Sequence, residues 1–68
     1  MKFDKYKSYE GRLMDLYDSL ADDGYGSYAN GNILSVYDDD DKMIASFDIE
    51  FIGADGSDLV KVTGIEIF

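Results

Sequence analysis

The chain has 68 residues, 46% hydrophobic and 15% aromatic, with 15 acids against 6 bases and a formal net charge of −9. That length allows one small domain, which buries only about 60% of its unfolded surface, and the apolar content argues against the disorder common in acidic chains. With no cysteine and no histidine, disulfide staples, Cys/His zinc sites and the usual nucleophile–base pairs are excluded.

Residues 4–22 predict an amphipathic helix. Tyr6, Tyr9, Leu13, Leu16, Tyr17 and Leu20 recur at spacings of three, four, three, one and three, a single helical stripe. Asp15, Asp18 and Asp22 fall opposite it. Asp4 is the expected N-cap, Gly11 weakens the first half, and Gly24 is the expected stop. Asp22 and Asp23 lie at the C-terminal end, where the helix dipole disfavours negative charge. A sequence chosen for folding alone would avoid that placement.

The stretch Gly24 to Asn32 is rich in turn residues, and Asn30-Gly31 has the character of a type I′ hairpin turn. Residues 25–29 read either as a short edge strand or as a structured loop. Ile33 to Tyr37 predicts a strand with Leu34 and Val36 inward. Lys42 to Ile52 is the most regular stretch: Met43, Ala45, Phe47, Ile49 and Phe51 occupy alternate positions, as in a strand with one buried face. A two-residue turn at Asp39-Asp40 would set Val36 opposite Met43 and Leu34 opposite Ala45. A type I′ turn at Asp55-Gly56 would set Phe51 opposite Val60, Ile49 opposite Val62 and Phe47 opposite Gly64. The last strand, Leu59 to Phe68, changes phase at Thr63-Gly64, which predicts a bulge at Gly64. Val60 and Val62 point inward before it, and Ile65 and Ile67 after it. The expected fold is α+β: one N-terminal helix on an antiparallel meander of three strands, or four if residues 25–29 join. The other sheet face would carry Ile33, Tyr37, Ile44, Ile52 and Leu59 among Ser46, Asp48, Glu50, Lys61 and Thr63.

No run approaches the roughly 18 apolar residues of a membrane span, and the start, MKFDKYKSYEG, lacks the apolar stretch of a signal peptide. The expected location is therefore a reducing cytoplasm. Charge is unevenly spread: residues 1–12 carry +2, whereas residues 13–68 carry 13 acids, two lysines and −11. Such a surface repels nucleic acid and anionic lipid and attracts basic proteins.

Asp38, Asp39, Asp40 and Asp41 form the most unusual run. A turn uses one or two aspartates, and adjacent like charges repel by about 1 kcal/mol per close pair in water. With Lys42 they spell the enteropeptidase recognition sequence, a coincidence in so acidic a chain. An EF-hand loop would need oxygen ligands at positions 1, 3 and 5 and glycine at 6. Counted from Asp38, positions 5 and 6 are Lys42 and Met43, so no metal site and no cofactor are expected. Asp48 and Glu50 share a strand face, and paired carboxylates can hydrolyse glycosides. A domain this small offers them no evident cleft, and catalysis is not expected.

The expected contact residues are thus Asp22, Asp23, Asp38–Asp41, Asp48, Glu50, Asp55 and Asp58, standing in for phosphates on a rigid frame. Tyr25, Tyr28 and Tyr37 lie off the core stripes and would anchor a partner, since tyrosine buries area at low entropy cost.

The whole chain resembles, as a type, the small phage-encoded anti-CRISPR proteins that act as DNA mimics: under 100 residues, strongly acidic, aromatic-rich, without Cys or His, on a compact α+β frame. It is most similar to those directed at type I systems, type I-C in particular. The resemblance implies a monomer in the host bacterial cytoplasm that binds no nucleic acid itself. Its partner would be a basic nucleic-acid-binding protein, the large PAM-reading subunit of the Cascade effector, blocked before it engages target DNA. Two other readings stay open. An antitoxin- or immunity-like protein would cover an enzyme active site with Ile44, Ile52 and Leu59, and a structural phage protein would homodimerise through its outward sheet face.

Overall fold

A computed structural model describes residues 3–68, which form one helix and a five-stranded antiparallel sheet. The elements are a 3-10 turn at Asp4–Tyr6, β1 (Glu10–Arg12), α1 (Leu13–Asp22), β2 (Gly26–Asn30), β3 (Ile33–Tyr37), β4 (Met43–Phe51) and β5 (Leu59–Ile67). The order across the sheet is β1-β5-β4-β3-β2. The α+β class and antiparallel meander match the expectation from sequence, but the strands number five because residues before and after the helix both join the sheet.

The helix is shorter than residues 4–22. Gly11 is the reason: the Tyr9 ring crosses it to donate a hydrogen bond to the Arg12 carbonyl at 2.7 Å, and a Cβ on Gly11 would lie 2.8 Å from that hydroxyl. Arg12 is extended, and residues 10–12 pair with Lys61, Val60 and Leu59. Asp4 therefore caps no long helix; it lies within the 3-10 turn. Helix α1 begins at Leu13, whose N–H donates to the Asp58 carbonyl at 2.8 Å in place of a side-chain cap. It stops where the glycine predicts. Gly24 has φ +90°, its N–H donates to the Ala21 carbonyl, and the Tyr25 N–H donates to that of Leu20. That pair of bonds is a Schellman cap, which needs a residue in the left-handed region.

Tyr6, Tyr9, Leu13, Leu16, Tyr17 and Leu20 nevertheless all pack on the core side, although only four of them are helical. Leu16 and Leu20 are fully buried against Leu34, Val36, Ala45, Phe47, Ile49, Val60 and Val62. Phe3, which no periodicity singled out, is equally buried; its ring stands edge-on to Phe47 at 5.5 Å and to Tyr25 at 5.2 Å.

Three hairpins set the register. Asn30 pairs with Ile33, so the first turn is centred on Gly31-Asn32, one residue later than Asn30-Gly31. Only Gly31 has a positive φ there, as in a type II′ turn. The β3–β4 loop has three residues, not two: the Asp38 N–H meets the Lys42 carbonyl at 3.0 Å around Asp39–Asp41. One extra loop residue would turn the alternation inside out, but the register shifts again beyond Tyr37↔Met43, with Ile44 as the extra residue. The two displacements restore the faces. Val36 sits opposite Ala45 and Leu34 opposite Phe47, rather than Met43 and Ala45, and Ile44 packs against the core instead of facing outward.

In the β4–β5 hairpin Phe51 faces Val60 and Ile49 faces Val62, as expected. The turn Ala54–Ser57 has Asp55-Gly56 at its centre, with positive φ at Gly56 alone, so it is not type I′. The bulge falls at Thr63: Asp48 pairs with Gly64 and Phe47 with Ile65, not Gly64. Phe51 departs from the expected core. It is the last residue of β4 and is 48% exposed, although its cross-strand partner Val60 is fully buried.

Candidate acidic interaction surface

The aspartate loop is built around one carboxylate. Oδ1 of Asp38 accepts the N–H groups of Asp40 at 2.9 Å and Lys42 at 3.0 Å, and its carbonyl accepts the Asp41 N–H. This loop needs Asp38 for the ordinary reason that aspartate organises turns. Asp39, Asp40 and Asp41 are exposed, and no ion pair between described residues includes them. Asp41 has φ +60°, a left-handed position where glycine is cheaper. Folding therefore does not account for three of the four negative charges.

The C-terminal end of α1 lies at the same end of the molecule, since Gly26, four residues past Asp22, pairs with Tyr37. Asp22 is exposed. Asp23 is not a loose charge: its Oδ2 accepts the Tyr6 hydroxyl at 2.6 Å and lies 2.5 Å from Lys5 Nζ. Lys5, then Tyr6, hold the Asp23 carboxyl below its ordinary range, and the Asp23 carboxylate raises Lys5 in return. Burial, and the Asp23 bond, push the Tyr6 hydroxyl up. Asp23, misplaced for the helix dipole, instead ties the N-terminal turn to the helix end.

Asp48 and Glu50 are exposed on the outward sheet face. The register adds Glu66 to that face through Ser46 and Glu10 through Lys61, two acids that reasoning about runs and turns missed. Alternation along β5 and β1 was the signal available for them. Asp55 is exposed at the opposite end, in the β4–β5 turn, where Asp58 lies 3.4 Å from Arg12 Nε. Of the tyrosines, Tyr28 is 62% exposed and Tyr37 half-buried on the outward side. Tyr25 packs against the core beside Phe3.

The candidate residues thus divide. Asp22 and Asp38–Asp41 lie toward one end, Asp48, Glu50, Tyr28 and Tyr37 on the open sheet face, and Asp55 and Asp58 at the far end. Among the described residues no three carboxylates converge to hold a metal ion, and no polar or charged side chain is buried. A cleft of about 310 Å³ lies between the first turn and the β5 bulge, lined by Phe3, Lys7 and Ile65 among others; it takes in none of the candidate residues. No helix among the described residues is long and apolar enough to cross a membrane. No protein-family model, curated protein or solved structure matches the chain.

Proposed function

We propose that this chain is a non-enzymatic inhibitor that mimics DNA and occupies a basic nucleic-acid-binding surface, that of the PAM-reading subunit of a type I CRISPR effector. The observation that carries the reading is the aspartate loop. One carboxylate builds it, while three more are held exposed, toward the same end of the molecule as Asp22, at a cost in repulsion and, at Asp41, in backbone strain. Charges retained against local stability are expected where a partner uses them. A basic groove tuned to DNA meets one phosphate per about 1.7 Å of duplex axis, and a rigid acidic end competes for it without being displaced along a strand. Electrostatic attraction of this kind also speeds association.

The test is competition. A purified type I-C effector is mixed with labelled PAM-containing duplex and increasing amounts of this chain. The expected result is stoichiometric loss of the DNA complex, abolished by Asp39→Lys/Asp40→Lys/Asp41→Lys in a chain that remains folded. Undiminished DNA binding across type I effectors would overturn the proposal. Retained inhibition by the lysine variant would remove the loop from the contact.

A further inference from the structure

The sheet has a second face that α1 does not cover. Strands about 4.8 Å apart give it a width of ~19 Å across β1 to β2. Its cross-strand rows read Tyr28–Ser35–Ser46–Glu66 and Asn30–Ile33–Asp48–Gly64. The β2–β3 half therefore presents Tyr28 and Ile33, 62% and 41% exposed, and the β4–β5 half presents Asp48, Glu50 and Glu66 with a single lysine, Lys61, opposite Glu50, and Leu59 at its end. The missing side chain at Gly64 leaves space for the Asp48 carboxylate, because a Cβ there would stand 3.0 Å from its Oδ2. Exposed Tyr28 and Ile33 beside strands where acids outnumber the one lysine are more than solvent alone requires of a sheet face.

We infer that this face is a docking surface for a protein segment in which arginines alternate with an aromatic or apolar side chain. The inference rests on the DNA-decoy reading and specifies the partner's surface chemistry. Charge complementarity selects the occupant. A second copy would set Asp48, Glu50 and Glu66 against like charges on a body that already carries −9. A purely lysine-rich surface would satisfy the carboxylates and leave Tyr28 and Ile33 in water. Arginine serves both halves, because its planar guanidinium stacks on a tyrosine ring and pairs with carboxylates through a rigid fork. The face offers on the order of 400 Å², about half of one partner's share of a standard interface. The aspartate loop at its end supplies the adjoining area.

Titration of the isotopically labelled chain, read by amide chemical shifts, tests this with two probes of equal charge: a peptide of three Arg-Trp repeats and one of three Arg-Gly repeats. The Arg-Trp peptide is expected to bind about fivefold more tightly, the effect of one tryptophan packing on Tyr28 where the Arg-Gly peptide has no side chain. Its shifts should centre on Tyr28, Ile33, Asp48 and Glu66. Tyr28→Thr/Ile33→Thr, at exposed strand positions that tolerate threonine, should remove the preference while leaving the rest of the spectrum in place. Equal affinity for the two peptides, shifts centred on Asp39–Asp41, or a preference that survives the double variant would each overturn the inference. The decoy reading is tested separately by duplex competition. Competition without the peptide preference sinks only the docking face; the preference without competition sinks only the decoy.

Discussion

Replacing Phe47 by alanine tests the register of β4 at its centre. The side chain is fully buried, with the Phe3 ring 5.5 Å and the Tyr6 ring 5.6 Å away. Removing a phenylalanine from such a place costs about 3–5 kcal/mol. A domain of this size holds roughly 3–10 kcal/mol in total, so the variant should be marginal or unfolded at 25 °C. Phe51 has the same alternation and lies four residues on, yet is 48% exposed. Its truncation should cost about 1 kcal/mol, in line with partial burial. Urea denaturation followed by far-ultraviolet circular dichroism measures both. Equal losses at the two positions, or a Phe47→Ala loss below about 1 kcal/mol, would refute the register and the placement of the helix over it.

Gly24→Ala should cost about 1–2 kcal/mol in the same assay, since its Cβ would meet nothing within 4 Å and the penalty is the left-handed backbone alone. Asp41→Gly should stabilise the fold by up to about 1 kcal/mol while weakening the partner complex, separating what folding wants from what binding uses. The Asp23 carboxyl titrates below its ordinary value of 3.8 when folded, so its contribution is complete above that value and disappears as pH falls through the lower folded one. Thermal melts of Asp23→Asn and the parent chain should accordingly differ at pH 6 and converge at the acid end. Convergence at neutral pH instead would mean that the Lys5–Tyr6–Asp23 contact contributes nothing.

What was legible in the sequence was periodicity and punctuation. The alternation of Ala45, Phe47 and Ile49, the inward Leu34 and Val36, the phase change at Thr63-Gly64 and the stop at Gly24 are each local patterns with one structural solution, and each appears in the fold. The N-terminal segment was not legible in this way. A stripe at helical spacing also serves a 3-10 turn followed by a strand, and only the Tyr9 ring crossing Gly11 decides between them. Loop lengths were the other gap. The extra residue at Asp39–Asp41 and the compensating one at Ile44 leave the hydrophobic pattern unchanged, so composition alone could not report them. For the candidate surface, the run of aspartates was visible at once. The engagement of Asp23 with Lys5 and of Asp58 with Arg12 depends on contacts 18 and 46 residues apart in the chain, which no local pattern encodes.

The decoy account stands most directly on how partner affinity responds to ionic strength. Between 50 and 200 mM salt, at fixed pH, the dissociation constant for the effector should rise at least tenfold, since the screening length between exposed carboxylates and exposed cations falls from about 14 Å to about 7 Å. An affinity that stays flat across that range would contradict it and point to an apolar cover over an enzyme site.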